Sequence, residues 1–348
     1  MELHLAAVQV AWSATLYATP AAFTRRMLDL GSAAVAEAGP RPRLVAFPEL
    51  IALPLLLTVA GDERALRAPT FAAALARLAP THARHWLRSA WRARRLAPAA
   101  IYGRYAVDAY RIWFDTFAAV ARATGAVVVA GSAFLPDVDE EPSRGWHVRD
   151  ANVHNAALTF APNGRLLARS AKVHLTPGAE QRAGLQRGRL EDLHPVVTPL
   201  GRVAVAICLD GFHERVLATL DGRGAQVVVQ PSANDAPWDR PWPGDPRRSE
   251  GEVWLAEGLR ARLQGRTSLR YGVNPMLVGD AFGLRPRGRS SIVANVVDAP
   301  ELADVAQGAT LPGLLALAPD PESEAIVSVQ VPHPDEFALP SGGSGPLR

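Results

Sequence analysis

Strand-like apolar runs and helix-like amphipathic stretches alternate along the chain. Residues 3–10, LHLAAVQV, and 43–47, RLVAF, are apolar runs of strand length, and PAAFTRRMLDLGSAAVAEAG at 20–39 reads as a helix closing on glycine. A helical WFDTFAAVARATG at 113–125 leads into AVVVAG, a strand at 126–131. HNAALTFAPNGRLLARSAKV at 154–173 predicts a hairpin that turns at Pro162, Asn163 and Gly164. Then follow a strand VAVAI (203–207), a helix HERVLATLDGRG (213–224), a strand QVVVQ (226–230) and a helix EVWLAEGLRARLQGRTS (252–268). Three further strands are expected at VNPMLV (273–278), SSIVAN (290–295) and AIVSVQV (325–331). The pattern predicts a mixed α/β fold on one core, with residues 1–335 as a single domain. Residues 61–104 form an Arg- and Ala-rich helical insert, and 336–348, ending SGGSGPLR, are expected to be a disordered tail.

Composition narrows this picture. With 348 residues and 48% hydrophobic content the chain can bury a large core. The longest apolar run, LIALPLLLTVA at 50–60, is too short to span a bilayer and contains Pro54, so no membrane association is expected. The N-terminus has an early acid and no basic region, so neither a signal peptide nor a transit peptide is expected, and a cytoplasmic location is the expectation. One cysteine, Cys208, excludes an internal disulfide and a cysteine-based zinc cluster. A net charge of +3 is too small to argue for nucleic acid. Lys172 is the single lysine, and the other 36 basic residues are arginine.

Candidate chemistry sits where strands end. RLVAFPEL runs into Glu49 and VAVAICLDGFHE runs into Cys208, and carboxyl ends of strands are where ligands gather in open α/β sheets. A thiol at such a turn is expected to gain from backbone N–H groups and the following helix dipole, which lower its pKa. A nearby carboxylate can take its proton, and a compact ammonium suits an oxyanion better than a planar guanidinium does. Taken singly, each residue has a plainer reading: Cys208 as a small buried hydrophobe, Glu49 and Lys172 as solvated charges, Glu180 as a loop acid.

Three motifs in order, AFPEL with Glu49, AKVHLTP with Lys172 and VAVAICLDGFHERV with Cys208, resemble those of the nitrilase superfamily of carbon-nitrogen hydrolases. Supporting blocks are AAVQV, HNAALTFAPNGRLLARSAKVHL, GAQVVVQPSAN and NPMLVGDAFGLRPRGRSSIV, so the similarity covers most of residues 4–331. The resemblance implies a four-layer αββα sandwich, a Glu49–Lys172–Cys208 triad, neither cofactor nor metal, and a homodimer or higher homo-oligomer. It also implies a second glutamate eight residues after the lysine, where Glu180 stands. The Leu209 backbone N–H would share the oxyanion with Lys172, and Trp238 and Trp242 would line the pocket. Leu209 replaces an aromatic residue frequent in amidase-like members, and the Trp-Glu that follows the cysteine in many nitrilases is missing. The expected substrate is therefore an amide or N-carbamoyl compound, with a nitrile as the alternative.

Other residues read as structural. His174 on a strand and His213 on a helix offer a cysteine–histidine pair but sit as surface or structural groups, and Asp210 is expected to cap the next helix. Arg84, Arg88, Arg92 and Arg95 share one helical face, with Trp86, Ala90 and Ala97 on another. That stripe supports a rival reading, a catalytically silent scaffold binding an anionic partner. No phosphate-binding Gly-Lys-Ser/Thr loop, G-x-S-x-G elbow or HExxH helix is present.

Overall fold

The computed structural model describes residues 1–71, 73, 74, 76, 77, 105–178, 180, 181, 183–297 and 311–336. The Arg84–Arg95 stripe and the tail beyond Glu336 lie outside them. Of the expected insert, the described part holds a short helix at Glu63–Leu66.

Two sheets carry the fold. In the eight-stranded sheet the neighbours run Leu166–Ala171, Gly145–Phe160, Val127–Glu141, Arg43–Phe47, Glu2–Trp12, Met276–Gly279 and Ser232–Ala233. Glu2–Trp12 is long enough for its first part to pair with Ala325–Pro332 and its last three residues with Met276–Gly279. The six-stranded sheet runs Leu314–Leu317, Ser291–Ala294, Tyr271–Asn274, Val227–Val229, Gly201–Val205 and Val196–Thr198.

Side-chain alternation then generates the layers. Leu44, Ala46, Val127 and Val129 face Val203, Val205, Val227 and Val229 across the two sheets. The alternate residues Val45, Phe47, Val128 and Ala130 pack on helices Pro20–Ala34 and Ala106–Thr124. On the other outer face, Ala204, Ala206 and Val228 pack on helices Glu214–Gly222 and Leu259–Leu263. Strands buried on both faces must read as continuous apolar runs, which is why RLVAF and QVVVQ show no polar alternation. The architecture is the expected αββα sandwich.

Two elements differ from the sequence expectation. VNPMLV is not one strand: Pro275 separates Tyr271–Asn274 in the six-stranded sheet from Met276–Gly279 in the eight-stranded one. Pro231 does the same between Val227–Val229 and Ser232–Ala233, because a residue without an N–H cannot continue a ladder. The expected helix at 252–268 is broken by Gly258, whose ψ of −149° ends Glu250–Glu257 before Leu259–Leu263 begins. The first of these helices starts early because Ser249 and Glu252 form a capping box.

Candidate active site

Glu49 leaves strand Arg43–Phe47 through Pro48, and Ser132 on the neighbouring strand holds the turn. Leu50 N donates to Ser132 Oγ at 3.1 Å and Ala52 N to Ser132 O at 3.2 Å. Gly131 is required beside it: its φ is +62°, and a Cβ there would lie 2.0 Å from Pro48 O. Lys172 follows strand Leu166–Ala171, with its N–H donating to Asn155 O at 2.8 Å and its carbonyl accepting from Gly188 N at 2.7 Å. The ammonium is 1% exposed and donates to Glu49 Oε1 at 2.8 Å, lies 3.0 Å from Glu180 Oε2, and reaches Thr176 Oγ1 at 3.3 Å. Thr176 N donates to Glu180 Oε2 at 2.6 Å, which folds Glu180 back onto the lysine.

Asn155 is a member of this cluster that the sequence analysis did not single out. Its Nδ2 donates to Glu49 Oε1 at 2.8 Å and to Glu180 Oε1 at 2.6 Å, while its Oδ1 has no partner among the described residues. The reversed amide would set a carbonyl oxygen against two carboxylates, so electrostatics fixes the orientation. The available hint was an asparagine at the start of the apolar run NAALTF, in a strand where asparagine is disfavoured.

Cys208 opens a 3-10 turn, Cys208–Phe212, at φ +48°. A non-glycine residue in that region costs about 1–3 kcal/mol and persists only where its surroundings over-determine it. Here the sheet crossover does so: Cys208 N donates to Pro231 O at 2.9 Å, and Gln230 Nε2 donates to Cys208 O at 2.6 Å. Gln230 O in turn accepts from Asn274 Nδ2, at the second crossover. Past the first crossover, Ala233 N donates to Glu49 Oε2 at 2.9 Å. Asp210 N bonds back to Ile207 O, and Cys208 N is taken by Pro231 O, so neither bond uses the N–H of Leu209.

Burial and charge set the resting protonation. The Cys208 thiol is pushed well above its ordinary range, by burial first and then by the Glu49 charge, which Lys172 only partly offsets. This corrects the expected lowered pKa: the turn is short, the residue is buried and the Glu49 carboxylate acts on it. Burial also raises Glu49, and Lys172 opposes that rise while Glu180 adds to it. For Lys172 burial disfavours the charge, yet Glu49, Cys208 and Glu180 together outweigh it and hold the pKa above the ordinary value. The resting site sets a buried thiol beside the Glu49 carboxylate and the Lys172 ammonium.

Asp210 does not cap the next helix. Wholly buried, it accepts from Val173 N at 2.9 Å, His174 N at 2.8 Å and His174 Nδ1 at 2.8 Å, tying the cysteine turn to the residues after Lys172. His174 lies past the strand end, and its ring stacks on His213 at 3.6 Å.

Glu49, Lys172, Glu180, Cys208 and Leu209 line one cavity of about 770 Å³. Its remaining walls are mostly apolar, with Trp12, Phe134, Phe212, Trp242 and Trp254 among them. Trp242 lines this cavity with the others. Trp238, expected to line the pocket, is not among the cavity's lining residues: it packs behind Trp254 at 6.2 Å and against Gly251, where a Cβ would come within 2.1 Å of its indole nitrogen. Among the described residues no group of three His, Cys, Asp or Glu side chains is arranged to hold a metal ion, and no helix is long and apolar enough to cross a membrane.

The model of the carbon-nitrogen hydrolase family matches residues 4–256. No curated protein sequence matches the chain. A carbon-nitrogen hydrolase from Helicobacter pylori superposes with a TM-score of 0.62 at 15% identity, over 97% of this chain and 92% of that one. An amidase from a Nesterenkonia species, with the acetamide moiety of fluoroacetamide added covalently at its active-site cysteine, gives 0.57 at 17% identity, over 97% and 92%. A cysteine-to-serine variant of that amidase, described as from the nitrilase superfamily, gives 0.54 at 18% identity, over 97% and 94%. At these identities the solved structures establish a shared fold, whereas the family match spans most of the sequence. The chain therefore belongs to the carbon-nitrogen hydrolase family, and is an enzyme that hydrolyses carbon–nitrogen bonds.

Proposed function

We propose that the substrate is a small-molecule amide, cleaved through a thioester on Cys208 with Glu49 and Lys172 completing the triad. Cys208 Sγ attacks the carbonyl carbon as Glu49 takes the thiol proton, since the raised thiol pKa leaves no preformed thiolate. The tetrahedral oxygen is held by Lys172 and the Leu209 N–H. Of the ammonium's three contacts, the 3.3 Å bond to Thr176 is the longest and is the one a substrate oxygen would replace. The C–N bond then breaks, and the proton on Glu49 passes to the departing nitrogen as ammonia or amine. Water attacks the thioester while Glu49 takes its proton, and the acid leaves as the thiol is restored. Glu180 and Asn155 keep Lys172 and Glu49 in register.

The observation that carries this reading is one ammonium bridging two buried carboxylates on the wall of the cavity that Cys208 lines. Supplying primary amides, N-carbamoyl amino acids and nitriles separately and measuring ammonia tests it. Release with one equivalent of carboxylic acid is expected from amides, and turnover confined to nitriles would replace the amidase reading.

A further inference from the structure

We infer that Glu250 forms a subsite for an organic cation, so that the enzyme takes amides carrying a protonated amine. The inference shares the cavity with the proposed amidase chemistry and rests on that reading for its substrate class. Glu250 is the first residue of helix Glu250–Glu257, is 7% exposed, and lines the cavity that holds Cys208. Its side chain has one hydrogen bond among the described residues, a long one of 3.4 Å from Asn234 Nδ2. The other buried carboxylates of this region are far better satisfied: Glu49 accepts from Lys172, Asn155 and Ala233, and Asp210 from three donors on two residues. Arg240 also lines the cavity, but it is exposed and makes no ion pair with Glu250.

A carboxylate set in mostly apolar walls needs donors, and a ligand that displaces its water must supply them. The helix N-terminus favours an acid at this position but does not explain why the side chain lines the cavity. The neighbouring walls decide the ligand class. Trp254 stands one turn on, on the same helix face, and also lines the cavity. Phe212 packs edge-on against it at 4.8 Å, and Trp242 and Trp12 line the same cavity. Aromatic walls beside a buried, poorly satisfied carboxylate suit an ammonium better than a neutral donor. Trp238 serves this arrangement from behind, since its indole against Gly251 fixes the start of the helix.

The test uses 4-aminobutyramide with its near-isosteres pentanamide and 4-hydroxybutyramide. Calorimetric binding to full-length Cys208→Ala protein should favour the amino compound by at least about tenfold over both neutral amides. Adding Glu250→Gln should bring those ratios to about one, and the ratio of kcat/KM for ammonia release should collapse in the same way when Glu250→Gln is made in the active enzyme. Equal binding of the three, preference for the hydroxyl compound, no measurable binding of any, or a preference that survives Glu250→Gln would each overturn the subsite. Selective binding without ammonia release would keep the subsite and remove the amidase reading. Release from all three at equal kcat/KM would do the reverse.

Discussion

Replacing Lys172 by arginine keeps the charge and changes only its shape. The ammonium is 1% exposed, with neighbours at 2.8, 3.0 and 3.3 Å on three residues, and Asn155 closes the ring by bonding both carboxylates. A planar guanidinium cannot meet these acceptors from one point, so Glu49 or Glu180 must move. Displacing a reacting group by about 1 Å can cost roughly a hundredfold in rate. Losing an oxyanion donor costs about 2.7–4 kcal/mol, again a hundredfold or more. Both routes predict that kcat for ammonia release falls by at least about a hundredfold. The larger side chain also overfills a closed site, at about 1–3 kcal/mol, so the melting temperature should drop by a few degrees without loss of the fold. Ammonia release and a thermal melt on the same preparation separate the two effects. A folded Lys172→Arg enzyme within tenfold of wild type would refute the reasoning, because 36 positions already show that this chain uses arginine wherever charge alone is wanted.

The raised pKa of Glu49 predicts a pH limit. Protonated Glu49 cannot accept the thiol proton, so kcat/KM should fall with decreasing pH through a value above the ordinary carboxylate range of about 4.3, and a profile flat down to that value would contradict it. Asp210→Asn should lower kcat by about tenfold or more and reduce the melting temperature, because an amide cannot accept all three N–H donors from Val173 and His174 that a carboxylate does. Unchanged turnover in that variant would show that the link between the cysteine turn and the lysine loop is dispensable.

Much of the frame was legible because buried parallel strands must be apolar throughout, and RLVAF, AVVVAG and QVVVQ announce themselves. The sheet crossovers were not, since VNPMLV reads as one run and only three-dimensional pairing shows that Pro275 hands the chain from one sheet to the other. The site divides in the same way. Glu49, Lys172 and Cys208 end strands within recognisable motifs, whereas Asn155 meets Glu49 across 106 residues of sequence, a contact no local pattern encodes. Asp210 misleads because an acid before a helix suggests a cap, and the N–H groups that claim it lie 36 and 37 residues upstream. The thiol pKa was misjudged for a similar reason: helix-end electrostatics is local, but burial and the charge of Glu49 come from the fold.

In the proposed mechanism Cys208 Sγ is the atom that attacks carbon. The most direct test is ammonia release by Cys208→Ala beside wild type, on whichever amide wild type hydrolyses, with circular dichroism confirming that the variant is folded. Without the sulfur no thioester can form, and activity should disappear into the uncatalysed background. If Cys208→Ala kept more than about a hundredth of wild-type activity, a loss of under about 3 kcal/mol in barrier, the covalent mechanism would be contradicted.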